Sequence, residues 1–165
     1  MVSKVKWLIF SSFLILGVIA ILSLFLLRRH LHPIMIIYGI FIATILNDQF
    51  FTIFGFNLQL FKPAPGWIPY IVKTLYFVAL CPTQTLWLMF ILFWQSVPSA
   101  LKWLALLVFT AFHGLVDYSL VFAGYVQLIN WNPGFSFIRN LVDASIVYLI
   151  LAATRKLLRR RGATA

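Results

Sequence analysis

Three aspartates, Asp48, Asp117 and Asp143, are the only acidic residues of this 165-residue chain, and all three fall inside long apolar runs. An ionised Asp at the centre of a membrane helix costs about 2.5 to 3.5 kcal/mol on insertion scales, so a segment that keeps one needs a reason for it. Lys73, His113 and Arg139 share that apolar setting. His113 and Asp117 are four residues apart, as are Arg139 and Asp143, which puts each pair on one face of a helix. Lys73 and Arg139 set two positive charges against the three carboxylates. A proton on His113 or on one Asp, or one small cation, would complete the balance.

A layer built from Asp48, Lys73, His113, Asp117, Arg139 and Asp143 therefore suits an ion, a proton or a small polar solute. The same residues support a second reading, in which buried charges pair only to fix helix packing or a partner helix. Other chemistries lack their parts. His113 and Asp117 could hold a metal with Asp48, but no HExxH, CxxC or His-rich spacing accompanies them, so neither a metal site nor a cofactor is expected. No Gly-rich phosphate loop or G-x-S-x-G elbow is present, and Ser11, Ser12 and Ser23 have no acid or base nearby. No catalytic residue is assigned, and a non-enzymatic protein is expected.

The elements that must carry these residues are helices. Hydrophobic residues make up 63% of the chain, aromatic residues 18%, and the mean hydropathy is +1.01, well beyond a soluble domain of this size. Five apolar runs, at about 7–27, 33–54, 70–94, 102–124 and 134–154, approach the roughly 20 residues that cross a hydrocarbon core. They lack strand alternation, which predicts an all-α bundle of five transmembrane helices in one domain. The first run is longer than a signal-peptide core and ends in Arg28-Arg29 without a cleavage pattern, so it reads as a mature helix. At ~1.5 Å per residue, the Asp, Lys and Arg residues of the layer lie about 5 to 13 Å from the same membrane face.

Basic residues set the orientation. Arg28, Arg29, Lys102, Arg155, Lys156, Arg159, Arg160 and Arg161 fall on one side, and Lys4, Lys6 and Lys62 on the other. That asymmetry predicts a cytoplasmic carboxyl terminus and an external amino terminus in the plasma membrane. The net charge of +10 does not predict nucleic-acid binding, because its excess is a juxtamembrane cluster rather than a soluble basic face. Residues 155–165 read as a basic cytoplasmic tail, in which Arg155, Lys156, Arg159, Arg160 and Arg161 attract anionic lipid headgroups by about 1 kcal/mol each. A membrane-protein partner or a second copy of the chain is a further expected contact.

Two external loops, near 55–69 and 125–133, share Gly-aromatic, Gln-Leu and Pro-Gly-aromatic steps, as a parallel internal repeat would. Pro82 interrupts the third helix, and a kink is expected there. Cys81, the only cysteine, has no partner for a disulfide.

Several spaced residues carry a family resemblance: His32-Pro33, Asp48 with Phe50 and Phe51, Pro82, Asp117-Tyr118, and Gly124, Tyr125, Trp131-Asn132 and Ser136. From about Arg28 to Leu158 the chain resembles the CBO0543-type family of small membrane proteins of spore-forming bacteria. It departs from that pattern at Asp117-Tyr118, where a Glu-Trp pair is usual, and in carrying Arg139 and Asp143. The resemblance implies a five-helix inner-membrane protein linked to sporulation, and it implies no particular biochemical activity.

Overall fold

Long runs of Leu, Ile, Val and Phe with their Pro residues near segment ends favour helix, since only a helix satisfies every backbone group within one segment. The computed structural model describes residues 2–160 and bears this out. Helix α1 runs Val2–Leu27 and α2 runs Pro33–Phe50, continued by a π-helical segment Phe51–Asn57. Helix α3 (Trp67–Leu75), a π turn (Tyr76–Leu80) and α4 (Cys81–Phe93) form one continuous span. Helices α5 (Ser99–Phe122) and α6 (Pro133–Arg160) complete the bundle, and the short strands β1 (Phe61–Pro63) and β2 (Val126–Leu128) lie between helices. The five spans are each long and apolar enough to cross a membrane.

Local chemistry sets the boundaries. Pro33 stands at the first position of α2, where its missing N–H is no loss, and His32 Nδ1 accepts the Ile34 N–H at 3.3 Å. Helix α6 outlasts its expected end, so residues 155–160 are helical rather than a separate tail; Arg161 lies outside the described residues. Straight-chain Lys, Arg and Leu favour that extension, and Arg159 and Arg160 complement the partial negative charge of the last turn. The interruption expected at Pro82 takes the form of the π turn just before it, in which the Cys81 N–H bonds the Tyr76 carbonyl five residues back. A π turn widens the helix locally and redirects the side chains it carries, here Tyr76 and Phe77.

The third span is the hub. It is buried along most of its length, and α4 touches α1, α2, α5 and α6. The core divides in two. One cluster, nearer the two loops, is aromatic and includes Phe13, Phe50, Phe51, Phe61, Tyr76 and Phe77. The other, nearer the basic end, is aliphatic and includes Leu27, Met35, Leu86, Met89, Val147 and Leu151. Large apolar side chains cover the outward faces of the helices, among them Ile15, Leu22, Phe41, Leu107, Leu115 and Leu149. That much exposed hydrocarbon suits lipid and not water.

The two similar loops lie against each other. β1 and β2 pair antiparallel, with Phe61 opposite Leu128, Lys62 opposite Gln127 and Pro63 opposite Val126. Main-chain bonds from Ala64 N to the Tyr125 carbonyl (2.8 Å) and from Ile129 N to the Leu60 carbonyl (2.9 Å) extend the ribbon. Gly124 turns the chain into it at φ +68, a conformation that favours glycine. Tyr125, which composition suggests as an exposed interface anchor, is buried instead, and its hydroxyl donates to the Lys6 carbonyl at 2.6 Å. Burial pushes the Tyr125 phenol up from its ordinary range, so it remains a donor across physiological pH.

Helices α2 and α4 meet where Gly39 faces Leu86. A Cβ on Gly39 would run into the Leu86 side chain, with Cγ 3.3 Å away, and Leu86 is fully buried. Gly39→Ala is expected to destabilise the bundle by about 1 to 3 kcal/mol through overpacking, read as a lower denaturation midpoint in detergent. In a Leu86→Ala background the same change should cost nothing further. Equal losses in both backgrounds would mean that the helices do not meet there.

Candidate functional site

The loop-end half of the bundle holds a cavity of about 310 Å³ between α3 and α5, roofed by the β1–β2 ribbon. Its wall is largely aromatic, with Phe50, Phe51, Phe61, Tyr76, Phe77 and Trp131 among the lining side chains. Lys73, Asp117 and Arg139 supply its charged positions, and Thr110 and Ser136 add hydroxyls. Gly114, on α5, opens the space, since a Cβ there would meet no atom within 4 Å.

Arg139 is the centre of the polar part. Its Nη2 lies 3.5 Å from Asp117 Oδ2, and the two side chains are 8% and 24% exposed, so the pair is largely shielded from solvent. Nε and Nη2 also donate to Asn140 Oδ1 at 3.0 and 2.6 Å, and the guanidinium sits 4.6 Å from the centroid of Phe50. One residue of α6 thus binds α5 through charge and α2 through a cation–π contact. Ser136, one turn earlier on α6 and beside Asp117, accepts from Trp131 Nε1 at 2.9 Å.

His113 is fully buried, and its Nδ1 lies 2.6 Å from the Tyr76 hydroxyl. Its Nε2 has no hydrogen-bond partner among the described residues, so whichever tautomer it adopts, one ring nitrogen is unsatisfied there. Asn140 Nδ2 is likewise without a partner. Lys73 Nζ stands 3.5 Å from the centroid of Phe51 and 5.5 Å from that of Phe77, at the rim of the same cavity.

The layer expected from sequence is therefore only partly assembled. Lys73, Asp117 and Arg139 line one cavity, and His113 lies behind Tyr76 in its wall. Asp48 is a correction: it points outward from α2, while its neighbour Asn47 takes the buried position and donates to the Ala43 carbonyl at 2.7 Å. Asp48 still lies within Coulomb range of Lys73, with no direct ion pair to it. Asp143 is a second correction, half-buried on α6 a turn from Arg139, outside the cavity lining and without an ion pair among the described residues. The expected partnering within each helix also fails. Asp117 reaches across to Arg139 rather than to His113, because the neighbouring helix offers full charge compensation and its own helix only an imidazole.

Tyr76, Gly114 and Ser136 are cavity-lining positions that the expected layer omits. The proximity of Tyr76 to Pro82 was the available signal, since a proline often forces a π turn upstream, but the rotation it imposes on Tyr76 is not readable from spacing. With Asp48 turned away, the His113, Asp117 and Asp48 trio cannot form, and no group of three potential ligands converges on a metal position among the described residues. No protein-family model, curated protein or solved structure matches the chain. The chemistry of the site is read from its geometry alone: a fixed ion pair and a lysine facing a space walled by aromatic rings.

Replacing Asp117 by Asn removes one partner of this pair and leaves Arg139 buried without its counter-charge. The expected loss is about 3 kcal/mol, at the low end for a broken buried pair because Asp117 keeps some exposure. Thermal unfolding of the purified protein at neutral pH measures it. The double variant Asp117→Asn/Arg139→Gln should regain most of that loss, and a single variant as stable as the parent would remove the pair from any structural role.

Proposed function

We propose that this chain is a non-enzymatic multi-pass membrane protein that binds a small amphipathic molecule in its loop-end cavity. The observation that carries this reading is the meeting of an aromatic-walled space of about 310 Å³ with Lys73, Arg139 and Asp117. Rings and an isolated polar cluster are the composition of a small-molecule site, where apolar walls supply affinity and few polar groups fix orientation. Lys73 and Arg139 outweigh Asp117 by one positive charge, so the favoured ligand carries an anionic end group on an apolar body. The ion, proton and small-solute chemistry of the expected layer narrows in this way, because rings rather than carboxylates make up most of the wall.

The protein belongs, in this reading, in a cytoplasmic membrane with its basic end inside and the ribbon and cavity outside. Eight basic residues near one set of helix ends against three at the other support that orientation. A scaffold role is the second reading. It is favoured by the way Arg139 ties α5 and α2 together, which would be sufficient reason to keep the charges.

Radiolabelled dodecanoate serves as the probe, titrated onto the protein in nanodiscs of zwitterionic lipid with empty nanodiscs as the blank. Saturable binding is expected, competed by unlabelled dodecanoate far better than by dodecyltrimethylammonium. Gly114→Phe should fill the cavity and abolish that binding with an unchanged unfolding midpoint, since the side chain would enter open space. Equal dodecanoate uptake by Gly114→Phe, or none by either protein, would discard the binding role and leave the scaffold reading.

A further inference from the structure

At the basic end of the bundle, far from the loop-end cavity, a second cleft of about 560 Å³ lies between the start of α2, the end of α4 and the end of α6. Leu31, Met35, Phe90, Phe93, Trp94 and Leu158 form its apolar wall. Its polar lining consists of His30, His32, Gln95, Ser96, Arg155 and Arg159. The arginines are fixed to different degrees. Arg155 is half-buried, its Nη1 donating to the Phe93 carbonyl at 3.1 Å and its guanidinium 5.4 Å from the Phe93 ring centroid, while Arg159, one turn on, is exposed. His30 rests on aromatic rings, 5.1 Å from Phe90 and 6.4 Å from Trp94. His32 spends Nδ1 as the acceptor that caps α2, which makes Nε2 the protonated nitrogen and a donor.

Among the described residues no carboxylate lines the cleft. Asp48 and Asp117 belong to the loop-end half of their helices, and Asp143 lies about 18 Å from Arg155 along α6 at 1.5 Å per residue. Arg155 and Arg159 therefore face a donor-rich space without a counter-ion among the described residues. Planar guanidinium groups match phosphate oxygens in pairs, and the hydroxyl and amide of Ser96 and Gln95 can complete the shell. We propose that this cleft is a phosphate-binding site, separate from the loop-end cavity, filled by the phosphate of an anionic lipid headgroup or by free phosphate. It does not rest on the binding role of that cavity. Arg155 and Arg159 line both this cleft and a neighbouring groove, whereas Lys156 and Arg160 line the groove and not the cleft.

The test titrates the full-length protein in zwitterionic nanodiscs with two probes, dihexanoyl phosphatidate and inorganic phosphate, followed by phosphorus NMR, with dihexanoyl phosphatidylcholine as the control. Arg159→Gln, at an exposed position with no side-chain contact holding the fold, should weaken phosphatidate binding at least about tenfold, as loss of a charge-assisted bond does. Lys156→Gln removes the same charge from the adjacent position and should leave binding within about twofold. Phosphatidate bound with inorganic phosphate ignored identifies a lipid headgroup as the source. Inorganic phosphate bound equally well, with the same dependence on Arg159, identifies the free anion. Failure of both probes to bind, or equal weakening by the two variants, would reduce the cleft to a diffuse basic surface and overturn the proposal.

Discussion

A guanidinium largely shielded from water has to be compensated by whatever surrounds it, and Arg139 imposes that requirement on the loop-end half of this bundle. Its charge holds Asp117 of α5, its face holds Phe50 of α2, and its remaining donors hold Asn140 beside it. The helices that flank the cavity are therefore positioned partly by one side chain. Buried ion pairs contribute little net stability compared with apolar packing, but they penalise every arrangement that separates the partners. An aromatic core with many interchangeable rings gains a unique register from such a constraint, because Phe50, Phe54, Phe61 and Trp131 could stack in other ways if Arg139 did not fix the helix beneath them.

The polar groups around this pair are incompletely satisfied. Asn47 Oδ1, Gln84 Oε1, His113 Nε2 and Asn140 Nδ2 are buried without partners. Each such group raises the energy of the apo protein by an amount comparable to a lost hydrogen bond, and a native structure keeps few of them without cause. They lie on α2, α4, α5 and α6, so each of these four helices carries at least one. A fold that needed only stability would have replaced them with Leu or Val, so the interior of this protein is arranged for polar contact as well as for packing.

How much of this was legible beforehand depended on what each signal measures. Hydropathy measures the length of an apolar run, and that comes out well: five helices long and apolar enough to cross a membrane, in the expected places. Rotation about a helix axis is another matter. Asn47, Asp48 and Gln49 form one polar run, with successive residues about 100° apart on the helix, so nothing in the sequence says which of them faces inward. Asp143 fails for the same reason. Pairing by spacing also misleads where a neighbouring helix offers a better partner, as Arg139 does for Asp117 and Tyr76 for His113. The π turn shifts Tyr76 in a way no fixed period anticipates. The basic tail is legible as charge but not as helix, since Arg and Lys mark the end of an apolar run and are also good helix formers.

The ribbon that roofs the cavity joins two loops from distant parts of the chain, β1 after the second span and β2 after the fourth. A chain made from its amino terminus presents β1 first, and its partner does not exist until α4 and α5 have been synthesised. The roof is thus a late event in the assembly of the protein, and until then the aromatic interior beneath it stays open to its surroundings. The order of synthesis thus makes closure of the loop-end half wait on the fourth span, whereas the contacts of the first two spans with the third can form as soon as that span has emerged.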